Sequence, residues 1–224
     1  NNKKKACVLL HGPIDNDARV IKVTRFFSRY ISSIDLFYVK DSNSANIPKD
    51  LFSNNVNLHA LKPPDEKNKI VRILNGVFFW RKYDFLISKV LEYSTGNYDL
   101  IIANDLPTLR QAAIIKSKYN GAKMLYDSHE IYLETVNQFY PHNASFYKNL
   151  IFSSLILISK KLGELVERKY IKKADFFITV NNSLARYFEK KYNYDKILSI
   201  MNCPEFIEGK PEPKIDFRQL YNFG

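Results

Sequence analysis

Ala122-Lys-Met-Leu-Tyr126, followed at once by Asp127-Ser-His-Glu130, is the stretch from which the fold is read. The first five residues are a short, mostly apolar run of strand character; the next four are small or ionisable. In an open parallel sheet, ligands bind in the crevice outside the carboxyl ends of the strands. A strand that stops on Asp-Ser-His-Glu therefore carries titratable groups to the place where a ligand would sit. His129 is one of four histidines, and imidazole changes charge nearest neutrality of the common side chains. A local reading competes with this one. In it, Asp127 and Ser128 cap the next helix and His129 bonds a backbone carbonyl.

The same strand-then-helix unit recurs on either side. Ala6-Cys-Val-Leu-Leu10 is apolar without alternation, as in a strand buried on both faces. It ends in the turn-rich loop His11-Gly-Pro-Ile-Asp-Asn-Asp17. Val20, Val23, Phe26, Phe27 and Tyr30 then follow at helical spacing, with Asp15, Asn16 or Asp17 to cap the exposed amides. Further strands are expected at 34–39 and 56–61, with a polar loop over 41–55 between them. A helical region over 70–93 is expected to break near Asn75-Gly76. Tyr98-Asp-Leu-Ile-Ile-Ala103 reads as a buried strand ending on Asn104-Asp105, and Pro107 suits the first turn of the helix after it. That helix runs through Lys118 and stops at Asn120-Gly121. Beyond the Asp-Ser-His-Glu stretch come a loop over 136–143, an amphipathic helix over 145–173 and a strand over 174–180. A helix capped by Asn181-Asn-Ser183 and a last strand over 197–201 complete the series. Strands alternating with helices at this spacing predict an α/β fold, a Rossmann-like parallel sheet sandwiched by helices. Residues 1–203 form that domain. Residues 204–224 have the proline and charge content of a linker.

Composition narrows the classes. At 224 residues the chain is long enough for a full core, and 46% apolar residues mark it as globular. Thirty-four Lys and Arg against 23 Asp and Glu give a formal charge of +11, which favours anionic partners, although solvated helix faces remain the default account. Two cysteines far apart form neither a disulfide framework nor a metal knuckle, so a reducing compartment is expected. The longest apolar run, 150–158, is too short to span a bilayer, and the N-terminus has no signal-peptide core. A cytoplasmic protein, peripheral at most on the inner face of the plasma membrane, is the expectation. The first loop lacks the three spaced glycines of the dinucleotide fingerprint, and the chain has no phosphate loop and no nucleophile elbow. No cofactor or metal is expected, and no nucleic-acid signature is present.

In their order and spacing, several segments resemble the N-terminal half of family 4 glycosyltransferases of the two-domain GT-B fold. They are Asp15-Asn-Asp-Ala-Arg-Val20, Tyr98 to Leu109, Tyr126-Asp-Ser-His-Glu-Ile-Tyr-Leu-Glu134, Glu167 to Val180 and Ile197 to Pro204. The likeness spans residues 6 to 205. It implies retaining transfer from a nucleotide sugar to a saccharide or lipid-linked acceptor, in surface polysaccharide or glycan biosynthesis. The N-terminal half would hold the acceptor. The nucleotide sugar would sit on a C-terminal domain, whose usual pair of glutamates with seven residues between them is not in this chain. The fragment alone would then be inactive. His11-Gly-Pro13, where many relatives have a glycine pair, departs from the family pattern.

By this resemblance His129 would bond a sugar hydroxyl and Asp105 would orient the acceptor hydroxyl. Asp127 and Glu130 belong to the same cluster. Asp15, Asp17 and Arg19 stand at a helix start where amides can bind a phosphate or sugar oxygen. For Arg19 an ion pair with Asp15, four residues earlier, competes equally. Asn181 and Asn202 end later strands and would either line the cleft or form turns. Lysines flanking residues 150–158 suit an anionic membrane surface, and core packing explains the same apolar residues. Two rival functions remain at this point. One is a non-catalytic basic α/β module binding an anionic membrane or nucleic acid; the other is a GT-B-shaped sugar-nucleotide epimerase.

Overall fold

The computed structural model describes residues 4–40, 51–65, 68–139 and 146–203. Its seven strands are β1 (Lys5–Leu10), β2 (Ser33–Val39), β3 (Val56–Leu61), β4 (Leu100–Asn104), β5 (Lys123–Ser128), β6 (Phe176–Thr179) and β7 (Ile197–Ser199). They form one sheet in the order β3-β2-β1-β4-β5-β6-β7, with every neighbouring pair parallel. The chain moves outward from β1 to β3, then crosses back to β4 and moves outward the other way. Right-handed crossovers therefore send the helices of the two halves to opposite faces. The crevice between the C-terminal ends of β1 and β4, where the order reverses, is the switch point at which such sheets bind ligands.

Side-chain alternation sorts the core accordingly. Cys7, Leu9, Ile101, Ala103, Met124 and Tyr126 point to one face. That face is covered by α3 (Phe85–Tyr93), α4 (Leu106–Lys116), α6 (Phe146–Ile171) and α7 (Asn182–Tyr192). Ala6, Val8, Leu10, Ile102 and Leu125 point to the other, against Val20 of α1 (Ala18–Ser28). Over β4–β7 this second face carries an open apolar groove of about 540 Å³, lined by Phe26, Leu125, Phe176, Ile178, Leu198 and Ile200 among others.

The 70–93 region breaks near Asn75-Gly76 as expected: helix α2 (Lys69–Val77) ends one residue after Gly76, and a 3-10 turn, Phe79–Arg81, which buries Phe79 and Trp80, separates it from α3. Other boundaries differ from the sequence expectation. β5 runs on past its apolar run, pairing Asp127 with Ile178 and Ser128 with Thr179. α4 stops at Lys116, short of Lys118. Ile151, Leu157 and Ile158 of α6 are 58%, 63% and 47% exposed, so that part of the apolar run is surface and not core. The expected linker from residue 204 onward, the loop beyond Phe139 and the start of the long helix at 145 lie outside the described residues. Among the described residues, no helix is long and apolar enough to cross a membrane.

Candidate functional site

Three strands meet at the switch point, and each ends in a polar or ionisable residue. β1 is followed by His11, β4 by Asp105, and β5 carries Asp127 and leads to His129. α1, whose start lies beside them, contributes Asp17 and Arg19.

Arg19 and Asp127 form the base of the cluster. Arg19 Nε donates to both Asp127 oxygens at 3.0 and 3.1 Å, and Nη2 donates to Oδ1 at 2.8 Å. Its Nη1 donates to the Ile200 carbonyl at 2.8 Å. Both partners are buried, so the pair fastens α1 across β5 to the end of β7. Neither expectation for Arg19 describes this geometry. Its partner is not Asp15 but a carboxylate 108 residues away.

Asp105 is held in an unusual conformation. Its φ of 59° and ψ of 168° lie in a region that essentially only glycine occupies. The backbone is pinned from β5: Asp105 N–H donates to the Asp127 carbonyl at 2.9 Å, and Asp105 Oδ1 accepts the His129 N–H at 2.8 Å. The second oxygen, Oδ2, lies 3.4 Å from His129 Nδ1. Only 6% of Asp105 is exposed. Burial pushes its pKa up to about 6, against the pull of the His129 charge and N–H. The carboxylate thus faces His129 and not the open crevice.

His129 sits between two carboxylates. Its Nε2 is buried and lies 3.5 Å from Asp127 Oδ2, a charge pair longer than a well-formed hydrogen bond. Burial works against the charged ring, but Asp127 and Asp105 outweigh it and raise the pKa above its usual value. His11 is the opposite case. Burial lowers its pKa to about 4, the charges of His129 and Lys82 act in the same direction, and Nδ1 is buried without a partner. Two imidazoles on one rim are therefore pushed apart, one toward the charged form and one neutral.

His11 is not among the residues singled out from the sequence. A signal for it exists: it is the first residue after a fully apolar strand, the same position relative to β1 that Asp105 holds relative to β4. Asn104, likewise not singled out, is buried. It donates to the Leu9 carbonyl at 2.9 Å and leaves its own Oδ1 unpartnered.

The remaining candidates divide. Asp17 caps α1 by accepting from Val20 N at 2.9 Å, and its charge reaches both His11 and His129. Asp15 lies in a 3-10 turn, partly buried, with its charge felt by Tyr38. Glu130 is exposed beside the cluster, and its carbonyl accepts from Ser128 Oγ at 3.0 Å. Asn181 caps α7, accepting from Leu184 N at 2.8 Å. Asn202 is exposed and accepts from Lys22 Nζ at 3.2 Å. The structure therefore brings Asp17, Arg19, Asp105, Asp127 and His129 together and commits Asn181 to a cap. Ser128 and Asp127 do not cap α5 (Tyr132–Thr135), which begins after Ile131 without a side-chain cap. Among the described residues, no group of three His, Cys, Asp or Glu is placed to hold a metal ion.

No family model matches the chain, and no curated protein matches it either. Solved structures do. The chain is similar to Medicago truncatula UGT71G1 complexed with UDP-glucose, with a TM-score of 0.57 and 10% identity over 97% of this chain and 56% of that one. It is similar to Arabidopsis thaliana UGT89C1 complexed with UDP-L-rhamnose, with a TM-score of 0.55 and 9% identity over 98% and 54% of the two chains. The chain spans about half the length of these structures. At such identity the likeness is one of fold: a seven-stranded parallel sheet flanked by helices, as in the Rossmann-like GT-B glycosyltransferases.

Proposed function

We propose that the chain is the N-terminal, acceptor-binding lobe of a GT-B glycosyltransferase, of family 4 as the sequence resemblance has it. It transfers a sugar from a nucleotide sugar to a saccharide or lipid-linked acceptor, in polysaccharide or glycan assembly at the cytoplasmic face of a membrane. A second lobe following the 204–224 segment supplies the nucleotide site. That the chain spans about half of the matched structures supports the single-lobe reading.

One observation carries this reading: His129 is held at the switch point between two buried carboxylates, Nδ1 3.4 Å from Asp105 and Nε2 3.5 Å from Asp127. Sugar transfer develops positive charge at the anomeric carbon and negative charge on the departing phosphate. An imidazole biased toward its protonated form is a hydrogen-bond donor to an oxygen of the donor sugar or its phosphate. Asp105 then acts as a positioning residue, since its carboxylate faces the His129 backbone and ring. The neutral His11 accepts a hydrogen bond from the acceptor hydroxyl and orients it.

Neither ring suits a general base at neutral pH. His11, with a pKa of about 4, is too weak, and His129 favours keeping its proton. The acceptor oxygen bonds to the anomeric carbon, the bond to the phosphate breaks, and the hydroxyl proton passes to the departing phosphate on the same face. That course gives retention. Exposed Ile151, Leu157 and Ile158, with the exposed Lys161 following, support presentation of the acceptor at an anionic membrane surface.

The test is transfer by the two-lobed protein. His129→Ala should lower kcat about tenfold or more, the scale of a lost positioning group, and the product should keep the donor's anomeric configuration. An unchanged rate removes the site, and an inverted product removes the proton path.

A further inference from the structure

Parallel sheets are found almost only with both faces covered, because each face presents apolar side chains. Here α3, α4, α6 and α7 cover one face, while among the described residues α1 is the helix in the core of the other. Past α1, that second face carries the groove of about 540 Å³, floored by Leu100, Leu125, Ile178 and Leu198 and walled by Phe26 and Phe27 of α1. Phe26, Phe176, Leu198 and Ile200 are each more than half exposed. A strip of large apolar side chains open to water is a surface that another element buries.

We propose that the element is a segment of this same chain. Residues 214–223, Lys-Ile-Asp-Phe-Arg-Gln-Leu-Tyr-Asn-Phe, turn back from β7 and lay Phe217, Leu220 and Tyr221 into the groove beside α1. The proposal stands whether or not the chain transfers a sugar.

The course of the chain points to this occupant. β7 is the last strand and lies at the edge of the sheet. Ile200, directly after it, lines the groove. Lys22 lines it too, and its Nζ donates to Asn202 Oδ1 at 3.2 Å and to the Cys203 carbonyl. The last described residue is thus tied to the rim of the groove, and residues 204–224 set out from there.

Reach and pattern agree with it. Pro204, Pro211 and Pro213 punctuate residues 204–213, and ten residues extended at about 3.1 Å each cover up to about 30 Å. From β4 to β7 is three strand spacings, about 14 Å, so the spacer reaches any part of the groove. Phe217, Leu220 and Tyr221 stand at i, i+3 and i+4, one face of a helix, with Arg218, Gln219 and Asn222 on the other. A second copy of the chain is the rival occupant, and charge works against it. Each copy carries +11, and joining two grooves would bring two copies of Lys22 into one contact.

The consequence reaches the switch point. The Ile200 carbonyl accepts from Arg19 Nη1, and Arg19 holds Asp127 beside His129. A segment packed on Ile200 therefore steadies the base of the cluster from behind.

The experiment is amide hydrogen exchange on the full chain, as wild type and as Leu220→Lys, Phe26→Lys and Leu198→Lys. Phe26 and Leu198 are exposed, so their replacement leaves the rest of the core intact, and exchange in β1 and β4 checks this. In wild type, amides of 217–223 should exchange roughly tenfold or more slower than in a free peptide of the same sequence. Each variant should return them to the peptide rate while β1 and β4 stay protected. Peptide-like exchange in wild type overturns the proposal. Protection that survives both groove variants overturns it as well, since the segment then packs elsewhere. Protection that grows with protein concentration, alongside a dimer in light scattering, gives the groove to a second copy and overturns it too.

Discussion

Asp35 and Asp105 are both buried aspartates in the same sheet, and they have opposite chemistry. Asp35 lies inside β2, where Lys5 Nζ at 2.8 Å, Asn57 Nδ2 at 2.9 Å and Tyr98 Oη at 2.7 Å all donate to it. Burial alone would raise its pKa, but those donors lower it. Asp105, at the C-terminal end of β4, has one backbone donor and a histidine at 3.4 Å, so burial wins and its pKa rises to about 6. One carboxylate is completed by its surroundings. The other has fewer donors, on a strained backbone, next to an imidazole held between two carboxylates. Similar exposure does not mean equal chemistry: the first cluster is closed by its donors, and the second is not.

The largest effect that would break this contrast is on stability. Asp35→Ala strands the Lys5 charge and the Tyr98 hydroxyl, and should cost about 3–5 kcal/mol, as for removal of one partner of a buried pair. Asp105→Ala removes one accepted hydrogen bond and also a poorly compensated charge, and should cost about 1 kcal/mol. Urea denaturation at neutral pH measures both. If the order is reversed, Asp105 is the structural residue and the site assignment fails.

Much of this contrast is legible in the amino-acid sequence, and the part that is not has a physical reason. Buried parallel strands are continuous apolar runs, so β1, β2, β4 and β5 are readable, as is the meeting of Asp105 and His129 at the ends of neighbouring strands. Asn181-Asn-Ser183 signals a cap and is one. The partner of Arg19 is not readable, because helical spacing offers only near neighbours, and the true partner comes from β5. The break in the 70–93 region is readable from Asn75-Gly76, since α2 ends one residue later.

Dependence on pH sharpens the contrast next. Asp105, raised from 3.8 to about 6, binds its proton more tightly when folded. Its contribution is fully present below its ordinary pKa and is lost as pH rises through about 6. His11, lowered from 6.5 to about 4, binds its proton more tightly when unfolded. Its contribution is fully present above 6.5 and is lost as pH falls through about 4. The two slopes oppose each other in one window, each worth on the order of 3 kcal/mol. Relative to wild type, Asp105→Asn should therefore gain stability between about pH 4 and pH 6, and His11→Gln should lose it. Stability curves that stay parallel to wild type would mean that neither group is buried as described. Asp35 titrates below this window, so Asp35→Asn should leave the slope within it unchanged.

The smallest effect concerns the backbone alone. Among the described residues, Asp105 and Asn193 are the two non-glycines with positive φ. Asn193, at φ 51° and ψ 55°, ends α7 in the left-handed region that asparagine tolerates at helix ends. Asp105 shares the φ, but its ψ of 168° places it where a Cβ is far less welcome. Comparing glycine with alanine at each position isolates that penalty from the lost side chain. The glycine variant should be more stable than the alanine variant by about 2 kcal/mol at 105 and about 1 kcal/mol at 193. Equal differences would mean that position 105 carries no extra strain. If the gap is larger at 105 and Asp105→Gly still lowers transfer by the two-lobed protein, the strain is the cost of keeping His129 in place, because the variant then has the easier backbone and lacks only the carboxylate that holds the ring.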